Sequence, residues 1–214
     1  MDVIGNQNEI SVIYSTKQRM IIRKAKQSDV DEIVSIHKSA FKGFFLTSLG
    51  DSFLSTYYSC FIKSGDTVIL CAEEMGKLLG FSAATRECKG FNGRLIKANV
   101  FKFMLVGLRL LFTNPLALVR LVKNFTKKSD EVKDDENYGE LYSIGVNSDA
   151  QGKGIGKALL AETEKRMEIE KLSLTTDYYN NELTIAFYQK CGYKLLYEFT
   201  AYPNRKMLRM IKKL

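Results

Sequence analysis

The chain has 214 residues, 45% of them hydrophobic, with 32 lysines and arginines against 24 aspartates and glutamates and a formal net charge of +8. That apolar content supports a real core and excludes a disordered chain, while no uninterrupted apolar run approaches the ~20 residues that cross a bilayer, which excludes a spanning helix. Four cysteines without C-x-x-C spacing (Cys60, Cys71, Cys88, Cys191) and a start lacking a charged-then-apolar leader point to a reducing, cytoplasmic setting. Neither the cysteines nor the single histidine form a metal-ligand set, so no metal is implied.

Residues 1–18 read as an extension ahead of one domain over 19–214. "RMIIRKA" is strand-like. "SDVDEIVSIHKSAF" opens with Ser28 and Asp31 as a capping box, and its inward stripe is Val30, Ile33, Val34, His37, Ala40 and Phe41. A lone histidine on or beside such a stripe reads as a satisfied core residue before it reads as a base. "GFFLTSLG" is an aromatic connection, and "DSFLSTYYSCFIKS" follows as a helix that Asp51 can cap. "TVILCAEEMGKLLGFSAAT" predicts two strands around a turn at Gly76.

An insertion occupies about 91–137. "RLIKANVFKFMLVGLRLLF", Pro115 and "LALVRLVKNFTKK" predict two helices separated by the proline. From residue 88 to 129 there is no Asp or Glu but there are nine cations, so the whole net charge belongs to this segment. "DEVKDDENYGE" then reads as a solvated acidic loop. Three uses of the insertion compete: covering the sheet or forming a homodimer contact, binding an anionic acceptor, and lying against an anionic membrane surface. Nucleic acid is disfavoured, because no base-reading or stacking motif accompanies the charge.

The chemistry-bearing stretch is "NSDAQGKGIGKALL", between the strand "ELYSIGV" and an amphipathic helix with Ile155, Leu159, Thr163 and Met167 on its buried side. Glycines at alternate positions permit φ > 0, so successive amides turn into one concavity beside Lys153 and Lys157, at a helix N-terminus. That nest suits a phosphate. A P-loop reading fails, because its first glycine would be Gln151 and its hydroxyl Ala158. A dinucleotide fingerprint fails on spacing, with the third glycine at Gly156 and five residues between the strand and Gly152.

Gln151, Gly152, Lys153, Gly154, Ile155 and Gly156 form Q-x-x-G-x-G, which resembles the acyl-CoA-binding motif of the GNAT family of N-acetyltransferases. About thirty residues on, "NNELTIAFYQKCGYK" is similar to the family's second signature, with Asn181, Tyr188, Gly192 and Tyr193 in place and Thr184 where the family usually has Ala. The order of elements independently suggests a mixed α/β or α+β sheet flanked by helices. The resemblance implies the GNAT fold, a twisted mixed sheet of about six to seven strands, and an acetyl-CoA-dependent transfer to an amine such as an amino sugar or another small acceptor. It implies that Ile144, Gly145 and Val146 pair with the pantetheine arm, that residues 151–156 with Lys157 hold the pyrophosphate, that Asn181 caps its helix or bonds the arm, and that Tyr188 protonates the leaving thiolate. Glu140 stands where the histone-acetylating branch places its base. The aromatic connection, Phe41, Phe44, Phe45, Leu46 and Thr47, falls where the family lines its acceptor pocket. A non-catalytic acyl-CoA-binding or membrane-recruiting module is the other reading.

Overall fold

The computed structural model describes residues 20–126 and 134–214. The 1–18 extension and residues 130–133 of the acidic stretch lie outside the described residues. Among those described, seven strands, β1 (Ile21–Lys24), β2 (Thr67–Glu74), β3 (Lys77–Thr85), β4 (Gly139–Val146), β5 (Lys171–Asp177), β6 (Lys194–Ala201) and β7 (Arg205–Lys213), form one sheet in the spatial order β1, β2, β3, β4, β5, β7, β6. All neighbours are antiparallel except β4 and β5. The β2–β3 hairpin closes on Met75 and Gly76, both at positive φ (55° and 76°), the pairing whose twist matches that of the strands.

The helices are α1 (Val30–Ala40), α2 (Phe45–Ser48), α3 (Asp51–Lys63), α4 (Phe91–Ala98), α5 (Val100–Thr113), α6 (Pro115–Thr126), α7 (Ile155–Met167) and α8 (Glu182–Lys190). The sheet is covered on both faces, which explains why β2 and β3 read as nearly continuous apolar runs. Val68, Leu70 and Ala72 meet Ile155, Leu159, Leu160 and Met167 of α7 on one side. Ile69, Cys71, Phe81 and Ala83 meet α1 and α3 on the other. Where hydroxyls enter the core they are paired: Ser82 and Thr163 lie 2.7 Å apart, and Thr163 also donates to the Leu159 carbonyl at 2.7 Å.

Three local expectations are corrected. The proposed Ser28/Asp31 box does not form. Asp29 is the N-cap residue of α1, and its carboxylate accepts from the Lys26 amide at 2.6 Å and from Arg23 at 2.7 and 3.0 Å. Asp51 is the first residue of α3 behind Gly50, and it pairs with Lys38 at 2.7 Å instead of capping. The insertion holds three helices, not two. Asn99 leaves helical geometry (φ −130°, ψ 31°) and its Nδ2 donates to the Leu95 carbonyl at 3.1 Å, so its short polar side chain ends α4 while its own carbonyl accepts from Lys102 and Phe103 to start α5. Pro115 opens α6, where no amide is needed, behind Asn114, whose Oδ1 accepts from Ala117 at 3.2 Å.

Two irregularities in β4 shape the site. Its register to β3 slips between Ala83 and Ala84, so Ser143 and Leu141 are paired and Tyr142 is the extra residue. The bulge puts Tyr142 and Ser143 on the α1/α3 side together, while Leu141 and Ile144 contact the α7 side. The second feature is the pairing of β4 with β5, which covers only Gly139, Glu140 and Leu141, against Leu172, Ser173 and Leu174. Beyond Leu141 the two parallel strands separate, and the C-terminal half of β4 has no ladder on that edge.

Candidate active site

The glycine-rich turn closes the open end of β4. Gly152 and Gly154 sit at φ 76° and 79°, and a Cβ built on either would meet nothing within 4 Å. Glycine is therefore required here by the left-handed backbone, and the surrounding space is free. Gly154 is the N-cap residue of α7, and the first helical bond runs from the Ala158 amide to its carbonyl at 3.0 Å. None of the amides of Gly152, Lys153, Gly154, Ile155, Gly156 and Lys157 donates to a backbone carbonyl of the described residues. These orphan donors at a helix N-terminus form a cradle that attracts anions. Lys153 and Lys157 are both exposed beside them. The Gln151 side chain turns back to donate to the Val146 carbonyl at 3.3 Å, tying the loop to the strand.

Ile144, Gly145 and Val146 lie on the separated half of β4, where the backbone edge toward β5 is unpaired. Gly145 is tight: a Cβ there would lie 3.1 Å from Phe81 and 3.4 Å from Ala40, so its missing side chain lets α1 close on the strand. A Cβ on Gly156 would lie 3.7 Å from Val146 and 3.9 Å from Phe187, so the start of α7, the end of β4 and the middle of α8 converge. Tyr188 is the next residue along α8. It is 7% exposed, and burial pushes its phenol well above the usual tyrosine range, which keeps it protonated. Asn181 does not cap α8 with its side chain; its amide donates to Thr176 at 2.6 Å and to the Asp177 carbonyl at 3.0 Å, anchoring the helix to the end of β5.

Glu140 sits at the other end of β4, five residues and about 17 Å of strand from Gly145. It is 8% exposed, and its carboxylate accepts from Arg209 at 2.6 Å, from Thr175 at 3.2 Å and from the Cys88 thiol at 3.1 Å. Burial acts to lower the Arg209 pKa, but Glu140 and Tyr138 outweigh it and hold the guanidinium charged. The sequence contained one signal for Arg209: it alternates with Leu208 and Met210, so it must enter the covered opposite face, where a cation needs an acid. Which acid it meets is not readable from alternation.

On the α1/α3 side, His37 is 2% exposed and its Nδ1 lies 2.7 Å from the Tyr58 hydroxyl, which donates to Ser143 at 3.3 Å. Burial lowers the imidazole pKa to about 4. The aromatic connection faces the turn between β6 and β7, with the Arg205 guanidinium 4.6 Å from the centre of the Phe44 ring and also bonded to Asp177 at the end of β5. Phe41 lies between His37, to which its ring is tilted, and Phe44, which it meets edge-on, and Thr47 donates to the Phe41 carbonyl at 2.7 Å.

This combination defines an anion cradle beside an open strand edge, at the carboxyl ends of two parallel strands. The family model described as acetyltransferase (GNAT) family matches residues 30–193, and the chain belongs to that family. Among solved structures, the histone acetyltransferase HPA2 and related acetyltransferase from Corynebacterium glutamicum superposes with a TM-score of 0.60 at 19% identity, covering 91% of this chain and 96% of that one. The PaiA N-acetyltransferase from Thermoplasma acidophilum, in complex with coenzyme A, superposes with a TM-score of 0.54 at 17% identity, covering 92% and 99%. These likenesses show the fold, and the expected mixed sheet of the GNAT type is the one observed. A stretch of 57 residues is 40% identical to the mycothiol acetyltransferase of Paenarthrobacter aurescens, covering 26% of this chain and only 18% of that relative.

Proposed function

We propose that the protein is an acetyl-CoA-dependent N-acetyltransferase that transfers the acetyl group directly from the thioester to an amine. The observation that carries this reading is the run of six unpartnered amides, 152–157, placed where β4 has lost its β5 neighbour. A diphosphate fits the cradle in charge and donor chemistry, and the open edge at Ile144, Gly145 and Val146 can pair with a peptide-like pantetheine. Lys153 and Lys157 add charge attraction, and Asn181 Oδ1, for which no donor is seen among the described residues, offers an acceptor beside the β5 end. The donor supplies an activated acyl group; the chain aligns it and receives the leaving thiolate. Tyr188 serves as the acid: its phenol is protonated at neutral pH, and it follows Phe187, which approaches the start of α7 and the end of β4.

Glu140 enters the proposal with a changed role. Its carboxylate is bonded to Arg209, Thr175 and Cys88 and lies about 17 Å of strand from the open edge at Gly145, so we assign the pair to holding β4, β5 and β7 together where the strands begin to part, and not to taking the amine's proton. A small amine remains the proposed acceptor, entering between the Phe44–Arg205 contact and the separated strands.

Calorimetry with acetyl-CoA, followed by thiol release across a panel of amines, tests the reading. Saturable binding and amine-dependent release are expected; binding without release for any amine would instead support a non-catalytic acyl-CoA-binding module. Gly154→Val should weaken acetyl-CoA binding by at least about tenfold while leaving the far-UV spectrum unchanged, because the new side chain strains an αL position and projects into open space. Tyr188→Phe should lower kcat about a hundredfold with acetyl-CoA affinity retained, the size expected for losing a general acid. An unaltered kcat would remove Tyr188 from the chemistry.

A further inference from the structure

The insertion presents an outward surface that is apolar and cationic at once. On α5, Val106 and Leu110 enter the core, yet seven large apolar side chains of the same helix are half or more exposed, led by Phe112 at 82% and Phe101 at 75%. At helical spacing Phe101, Met104, Leu105, Leu108 and Phe112 fall on the side opposite Val106 and Leu110, with Lys102 and Arg109 along one border. The surface continues on α6 with Leu116, 77% exposed, and with Arg120 and Lys123 beside it. Among the described residues, Lys97, Lys102, Arg109 and Arg120 form no ion pair. Exposed apolar surface of this extent marks an interaction site.

We propose that α5 and α6 dock on an anionic bilayer surface, with their apolar side chains at the headgroup boundary and their cations facing lipid phosphates. Charge complementarity selects this occupant. A second copy would bring Lys102, Arg109, Arg120 and Lys123, on two helices that hold no Asp or Glu, against the same set, and like charges would oppose the contact. The chain's own residues 1–18 offer Asp2 and Glu9 against Lys17, too little negative charge to neutralise the surface. An anionic leaflet supplies charge of the right sign over the whole area and accepts apolar side chains, and long basic side chains reach upward from such a layer. The helices lie in the interface and do not cross it. None of the helices among the described residues is long and apolar enough to span a membrane, and the 14 residues of α5 reach about 21 Å against a hydrocarbon thickness of about 30 Å. This inference stands independently of acetyl transfer.

The test is co-sedimentation of the full chain with phosphatidylcholine vesicles, with and without phosphatidylglycerol, at low and high salt. Binding only to the anionic vesicles, weakened by salt, is the expected result. Replacing Lys102, Arg109 and Arg120 together by Gln should reduce the partition coefficient roughly a hundredfold, at about fivefold per cation. Phe101→Ser with Phe112→Ser should also release the protein, and as both side chains are exposed the variant should keep its far-UV spectrum. No binding at low salt by folded protein would overturn the proposal, as would equal binding to neutral vesicles. A concentration-dependent dimer that the Phe101/Phe112 variant abolishes, without vesicle binding, would assign the surface to a second copy. Binding that appears only after residues 1–18 are deleted would assign it to the chain's own N-terminal segment.

Discussion

Glu140→Gln is expected to destabilise the fold by about 3 kcal/mol, because it leaves the Arg209 guanidinium buried without its counter-ion. The Glu140 and Arg209 side chains are only 10% and 11% exposed, and Arg209 Nε already lacks a partner among the described residues, so solvent cannot take over the lost charge. Geometry enlarges the effect. Glu140 on β4 pairs in register with Ser173 of β5, Thr175 of β5 pairs with Arg209 of β7, and the carboxylate bonds to both Thr175 and Arg209. The ion pair thus straps three strands one residue before β4 and β5 separate. Urea unfolding measures the loss, and Arg209→Met introduced alongside Glu140→Gln should recover much of it, since the second change removes the orphan charge. A loss below about 1 kcal/mol would show that the strap is not structural. The pH–rate profile gives the second readout: if Glu140 accepted the amine proton, the variant would lose the acid limb, whereas a structural pair leaves that limb in place.

Stability is expected to fall by about 3 kcal/mol as pH drops from about 6.5 to about 4, through His37 alone. Burial lowers its pKa from 6.5 to about 4, so the native imidazole stays neutral while the unfolded chain takes up a proton across that window. Above pH ~6.5 both states are neutral and the contribution is fully present; below it the unfolded state binds more protons and gains on the native state. Because His37 is the sole histidine, no other imidazole obscures the slope. Asp29 is also perturbed, its carboxyl held low chiefly by the hydrogen bond from Arg23, but its contribution is lost only below the ordinary carboxylate range near ~3.9. Urea midpoints at intervals between pH ~7.5 and ~4.5 should decline steadily in the native chain and nearly level out in His37→Gln, whatever the variant's absolute stability. Equal slopes in the two proteins would refute the assignment.

Local sequence specifies local structure where one residue type answers one local demand. Gly76 marked the hairpin, the stripe of Ile155, Leu159, Thr163 and Met167 marked the buried side of α7, and the spacing of Gly152 and Gly154 required a left-handed turn that the backbone adopts. Local sequence does not do so where two local demands compete. Ser28 and Asp31 had the right spacing for a cap, yet Asp29 one residue away was held by Arg23, and tertiary charge decided where the helix begins. Asn99 was hidden inside an apolar helical pattern, although its side chain offers the backbone an alternative to the helix.

The sequence by itself determined the strands and most helices, the two faces of the sheet, and the loop able to receive a phosphate, because hydrophobic period, glycine spacing and charge all act over a few residues. Only the tertiary structure decided that β7 inserts between β5 and β6, that β4 leaves β5 after Leu141, and that Glu140 meets Arg209 across 69 positions of chain. Periodicity states which way a side chain points but not which strand lies beside it. That choice depends on how the bulge at Tyr142 and the packing of α1 and α7 share the space around β4, a balance among residues far apart in the chain.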